Sequence, residues 1–186
     1  MPTNIYFVRH AHSTYTPDEY ERPLSEHGFQ AMRTVTDLLQ SEYIDEVYSS
    51  PYRRAVQTVE GIASFLDIEI NIMEDFKERV LARKSVEDFS YAITKVWEDY
   101  DFSWPGGESN RLAQKRGVDA TMAVLDHHPG KNIVIGTHGN IMALIMNSFD
   151  GQYGFKFWKE LDMPDIYKLS FEGKNLSAVQ RVWRRD

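Results

Sequence analysis

Arg9 and His10 are neighbours at the end of a short apolar run, Ile5-Tyr6-Phe7-Val8. The pair joins a permanent cation to an imidazole, a side chain that can hold a proton near neutral pH or act as a nucleophile. The same residue types recur twice more. Ser49-Ser50 leads into Arg53-Arg54, and the run Ile133-Val134-Ile135 leads into Thr137-His138-Gly139. Arginine presents a planar fork of donors that matches two oxygens at once. Three such groups brought together would hold a phosphate or sulfate dianion with a nucleophile in place. Taken singly, each has an ordinary structural use: a hydrogen-bonded histidine at a strand end, solvated helix arginines, a glycine in a tight turn. Their joint placement is the informative feature.

The elements that must position them alternate along the chain. Residues 4–9 read as a strand, and a helix begins at Leu24-Ser25 with Ser25 as its N-cap and Phe29, Met32, Val35 and Leu38/Leu39 at helical spacing. A short strand covers Asp45 to Ser49. Pro51 opens a helix with Ala55, Val56, Val59, Ile62, Ala63 and Leu66 on its apolar face. Residues 68–72 alternate like a half-buried strand. Residues 85–98 read as a helix with Val86, Phe89, Ile93, Val96 and Trp97 inward. Trp104-Pro105-Gly106-Gly107 is a loop. A long helix follows from about Glu108, with Leu112, Val118, Met122 and Leu125 on one face, and His128-Pro129-Gly130 ends it. The continuous apolar run 132–137 predicts a central strand buried on both faces. A helix from Ile141 to Phe149 and a terminal hairpin, 166–171 and 176–183, complete the pattern. This alternation predicts a three-layer α/β/α sandwich with a mostly parallel central sheet, in a single domain spanning residues 1–186. All three basic turns then fall at carboxyl ends of strands, where open α/β sheets bind ligands. The helix N-termini after them would aim backbone N–H groups at the same edge.

Composition narrows the function. A net charge of −7 argues against a general nucleic-acid binder, and no apolar stretch approaches a membrane span. There are no cysteines, so neither disulfides nor thiolate chemistry is available. Met1-Pro2-Thr3-Asn4 shows no secretory signal, and the expected location is cytoplasmic. No feature fixes the oligomeric state.

Val8-Arg9-His10-Ala11 resembles the Arg-His-Gly signature of the histidine phosphatase superfamily, which includes the cofactor-dependent phosphoglycerate mutases. Arg22-Pro23-Leu24-Ser25-Glu26-His27-Gly28 is similar to that family's Pro-Leu-Thr-x-x-Gly segment. Ser49 to Thr58 resembles Ser-Ser-x-Leu-x-Arg-Ala-x-Gln-Thr. Pro105-Gly106-Gly107-Glu108-Ser109 matches the Pro-Gly-Gly-Glu-Ser loop, and Thr137-His138-Gly139-Asn140 the second His-Gly motif. The motifs stand in the family's order over residues 8 to 140. The chain departs from the pattern at Ala11, where glycine is usual, at His12 in place of Glu or Gln, and at Thr16 in place of Asn. His12 reads as a solvent-facing turn residue or a substrate contact.

The resemblance implies a phosphoglycerate mutase-like fold and a role for each matching residue. His10 would form a phosphohistidine. Arg9, Arg54 and His138 would bind the phosphoryl oxygens, Arg54 rather than Arg53 because it directly precedes the alanine. Glu78, in Phe76-Lys77-Glu78-Arg79, falls where the family places its proton donor, with Glu74 and Asp75 close by. Guanidinium groups would supply the positive charge, so neither metal nor cofactor is expected. The implied activity is a metal-independent phosphomonoesterase acting on a small phosphorylated substrate. Residues 79–104 form only a short cap-like insertion, which favours a phosphatase over a mutase. That cap carries Phe89, Tyr91, Trp97, Tyr100, Phe102 and Trp104, candidates for core packing or for an apolar substrate wall. Two other readings stand beside it: a catalytically weak phospho-ligand binding or regulatory module, and a metal hydrolase using His10, His12 and His138. The arginines would repel a cation, which weighs against the metal reading.

Overall fold

The structure is a computed structural model and describes residues 1–185. Six strands form one sheet in the order β3-β2-β4-β1-β5-β6. They are β1 (Thr3–Arg9), β2 (Glu46–Ser49), β3 (Ile70–Ile72), β4 (Asn132–Thr137), β5 (Asp165–Glu172) and β6 (Asn175–Arg181). The first four are mutually parallel, and β5 runs antiparallel to both β1 and β6. The central position expected for β4 holds, between β2 and β1. Its Ile133, Val134 and Ile135 are fully buried because both faces are covered.

Helices cover the two faces. On one, Tyr6, Val8, Val47 and Val134 pack with Val35 and Leu39 of α1 (Glu26–Gln40) and Val59 and Ile62 of α2 (Arg53–Leu66). On the other, Ile5, Phe7, Ile133 and Ile135 pack with α3 (Phe89–Glu98), α4 (Asn110–His127) and α5 (Gly139–Phe149). Each fully buried Val, Ile or Phe here contributes about 1.5–3 kcal/mol of transfer free energy. Ser25 caps α1 as expected, its hydroxyl accepting from the Gly28 N–H at 3.0 Å. Among the described residues no helix is long and apolar enough to cross a membrane.

Three expectations change. The α4 face that packs inward is Ala113, Gly117, Ala120, Thr121, Val124 and Leu125, whereas Leu112 is 64% exposed. The reason is close approach: the space a Cβ would take at Gly117 is filled by Ile141 and Ile145 of α5. Small residues, not large ones, mark that seam. Second, α3 starts at Phe89 rather than Ser85, because the Asp88 side chain caps it by accepting from the Tyr91 N–H at 2.9 Å. Phe89 then lies 57% exposed, not inward. Third, a short helix α6 (Phe155–Glu160) occupies a stretch with no predicted element. The parallel register fixes what matters for chemistry. Arg9 pairs with Thr137, and Ser49 pairs with Gly136, so β1, β2 and β4 end level with one another.

Candidate active site

His10 is the first residue beyond β1. Its N–H donates to the Thr137 carbonyl at 2.9 Å, and the Ala11 N–H donates to Thr58 Oγ1 at 3.0 Å, which ties the turn to α2. Ala11 is fully buried and its backbone lies outside the left-handed region, so the methyl group is accommodated. The imidazole of His10 lies 2.7 Å from the Ala11 carbonyl through Nδ1. A carbonyl can only accept, so Nδ1 carries the proton and Nε2 keeps its lone pair. Burial lowers the His10 pKa to about 3, and the nearby Arg54 and Arg9 guanidinium groups push the same way. The ring is therefore neutral at neutral pH, with the free nitrogen a nucleophile requires.

His138, the residue after β4, is fully buried with its ring centroid 5.2 Å from that of His10. Burial, His10, Arg54 and Arg9 hold its pKa well below the ordinary histidine value. Its Nε2 lies 2.8 Å from Ser50 Oγ, which accepts from the Tyr52 N–H at 3.2 Å. The His138 Nδ1 is buried and has no hydrogen-bond partner among the described residues. Nor does the buried Nε of Arg9. The Arg9 Nη1 donates to the Leu161 and Asp162 carbonyls at 3.3 and 3.2 Å. Its guanidinium lies so close over Gly139 that a Cβ there would come within 3.0 Å of it.

Arg54 is buried in the first turn of α2, while Arg53 is exposed. Its Nη1 donates to the Glu19 backbone carbonyl at 2.8 Å, and its Nη2 to the Glu19 carboxylate at 2.9 Å. This Glu19 contact was not legible in the sequence. No motif includes Glu19, and only the fold of the 17–21 loop brings it over α2.

Glu78 stands at the N-terminus of α5. Its carboxylate accepts from the N–H groups of Asn140 at 3.0 Å, Ile141 at 2.9 Å and Arg79 at 2.8 Å. This corrects one expectation. The α5 N-terminal amides hold the Glu78 carboxylate, and the Arg53 N–H at the start of α2 donates to the Tyr20 carbonyl. Glu74 instead accepts from the Tyr20 hydroxyl at 2.6 Å and from Lys77. Glu78, not Glu74 or Asp75, lines the cleft beside Arg54. That cleft, of about 530 Å³, is walled by Arg54, Glu78, Tyr52 and Asn140 on the sheet side and by the loop from Val80 to Val86. His10 keeps 8% of its surface exposed, and His12 is exposed on the turn, 2.7 Å from Ser25.

The structure thus brings Arg9, His10, Arg54 and His138 together at the ends of three strands, with Glu78 on the cleft wall. Such an arrangement sets two guanidinium groups beside a neutral histidine at the carboxyl edge of an α/β sheet. The chain belongs to the histidine phosphatase superfamily (branch 1), whose family model matches residues 5–183. It is 29% identical over 159 residues to a metal-independent phosphoserine phosphatase of Arabidopsis thaliana, covering 77% of this chain and 67% of that one. It is 27% identical over 168 residues to phosphoserine phosphatase 1 of Hydrogenobacter thermophilus, covering 83% and 79%. Among solved structures, mycobacterial glucosyl-3-phosphoglycerate phosphatase superposes with a TM-score of 0.79 at 16% identity over 97% of both chains. The expected class of activity, hydrolysis of small phosphomonoesters, agrees with this family and with these relatives.

Proposed function

We propose that the protein hydrolyses a small phosphomonoester through a phosphohistidine on His10, without a metal ion. The observation that carries this reading is the His10 imidazole itself. It is neutral, its Nδ1 proton is committed to the Ala11 carbonyl, and it sits among Arg9, Arg54 and His138. The Nε2 lone pair attacks phosphorus, and the ester P–O bond breaks. The leaving oxygen takes a proton from Glu78, which enters the cycle as the carboxylic acid. Water then attacks phosphorus, the P–N bond breaks, and Glu78 takes the proton that water loses. Charge on the equatorial oxygens is met by Arg9, Arg54 and His138. In this reading residues 1–186 act as one domain and residues 79–104 as its cap.

Phosphatase activity on p-nitrophenyl phosphate, run beside a mutase assay with and without 2,3-bisphosphoglycerate, tests the proposal. Turnover should survive chelator, be blocked by vanadate, and vanish in His10→Ala. Full activity in His10→Ala would overturn it. No turnover by the wild type on a broad phosphoester panel would favour a phospho-ligand binding module.

A further inference from the structure

Arg9 is aimed by a part of the chain that carries none of the sequence motifs. β1 pairs antiparallel with β5, and in that register Arg9 stands opposite Asp165. The turn before β5 supplies the Leu161 and Asp162 carbonyls, which accept from the Arg9 Nη1 at 3.3 and 3.2 Å. They are the only hydrogen-bond partners of the guanidinium among the described residues, and its buried Nε has none. Where these two carbonyls sit decides where the guanidinium points.

Asp165 fixes that turn. It is fully buried, and its carboxylate accepts from four donors. Oδ2 takes the Asp162 N–H at 2.8 Å and the Arg181 Nη2 at 2.7 Å. Oδ1 takes the Ile166 N–H and the Arg181 Nε, each at 3.0 Å. Arg181 ends β6, and its Nη2 also donates to the Asp162 carboxylate at 2.8 Å. Arg185 reaches the same carboxylate from the tail at 2.9 Å. A planar guanidinium bound to a carboxylate through two nitrogens makes a stiff joint, and the turn cannot shift without breaking it. Burial opposes the Arg9 charge, and the carboxylates of Glu78, Asp165 and Asp162 favour it. None of Asp162, Asp165, Arg181 and Arg185 lines the cleft.

Resting on the phosphatase reading above, we propose that Asp165 and Arg181 are positioning residues for the reaction. They lock the turn at Leu161-Asp162, so that its carbonyls hold the Arg9 guanidinium against the phosphoryl oxygens. The C-terminal hairpin is then part of the active-site scaffold without contacting substrate. Removing the Arg181 fork frees Asp162, and both carbonyls move with it. Drift of one phosphoryl ligand by a fraction of an ångström is enough to cost about tenfold in rate.

Steady-state kinetics on p-nitrophenyl phosphate, with inorganic phosphate as competitive inhibitor, test this role in a double-mutant cycle of Arg9→Ala and Arg181→Ala. Circular dichroism sets a temperature at which each variant is folded. With Arg9 in place, Arg181→Ala should lower kcat/KM about tenfold and raise both KM and the phosphate inhibition constant. In the Arg9→Ala background it should change kcat/KM by less than about twofold, because the group it positions is gone. Should Arg181→Ala not fold, Arg181→Lys keeps a cation beside Asp165 and should show the same pattern with a loss of about two- to fivefold. No loss, or equal losses in the two backgrounds, would overturn the positioning role. So would a fall in kcat with KM and the inhibition constant unchanged, which is what a smaller folded fraction gives. The phosphatase reading fails separately, if the wild-type protein turns over neither p-nitrophenyl phosphate nor the broader panel.

Discussion

The buried, neutral imidazole of His10 makes the fold sensitive to acid, and by an amount that can be worked out. In the unfolded chain this group titrates near 6.5, and in the folded protein near 3. Between these values the unfolded chain binds a proton that the native state does not. Stability therefore falls as pH falls through this window, and it is fully present above 6.5. The slope approaches about 1.4 kcal/mol per pH unit, so lowering the pH from about 8 to about 5.5 removes about 1.4 kcal/mol through His10 alone. His138 is displaced in the same direction and adds to the loss. For a chain of this size 1 kcal/mol moves Tm by about 2–4 °C, so His10 accounts for about 3–6 °C of the fall. Thermal denaturation of wild type and His10→Gln, in phosphate-free buffers at both pH values, isolates this share. Carboxylates are common to both proteins and cancel in the comparison, and burial keeps His138 displaced in the same direction in both. The wild type should lose about 3–6 °C more than His10→Gln. Parallel loss of Tm in the two proteins would refute the claim that His10 is held neutral by its surroundings.

Two further outcomes follow from contacts near the site. Glu19 is 54% exposed and lays its carboxylate on the Arg54 guanidinium, so Glu19→Ala should strengthen competitive inhibition by inorganic phosphate, by about three- to tenfold; weaker inhibition would mean that Glu19 positions Arg54 rather than competing for it. Gly107→Ala drives a methyl group into the Leu81 carbonyl, a backbone atom that cannot swing away, and should cost about 1–3 kcal/mol in denaturant unfolding; an unchanged midpoint would show that the cap loop is not seated on the Pro105-Gly106-Gly107-Glu108 motif.

The strand ends were legible because parallel strands announce themselves. Ile5 to Val8 and Ile133 to Ile135 are apolar on consecutive residues, as two-sided burial demands, and Arg9 and His138 follow within three positions. The register of β1 against β4 then leaves little freedom in where Arg9, His10 and His138 meet. What stayed hidden depends on close approach and on long-range contact. The α4 seam uses Ala113, Gly117 and Ala120, residues whose value lies in being small, and hydropathy gives them no weight. The occupant of the α5 N-terminus could not be read either. An exposed helix end accepts any anion, and only the fold shows that Glu78, over 60 residues earlier in the chain, fills it.

The filling of that helix end bears on how the site handles charge. Arg9 and Arg54 are taken from water, yet the contacts that hold them in place include backbone carbonyls of Leu161, Asp162 and Glu19. A carbonyl orients a guanidinium without neutralising it. Keeping His10 and His138 uncharged limits the repulsion between the two arginines and their neighbours, and preserves the lone pair on which the chemistry depends. Glu78 satisfies the helix amides, and its charge also acts on Arg9. Among the described residues Glu19 alone sets a carboxylate directly on Arg54, from an exposed loop where it can leave. A phosphoryl dianion that displaces it exchanges one solvent-screened negative charge for two desolvated ones against the same guanidinium. This exchange, rather than the net charge of the chain, decides whether an acidic protein can bind an anion.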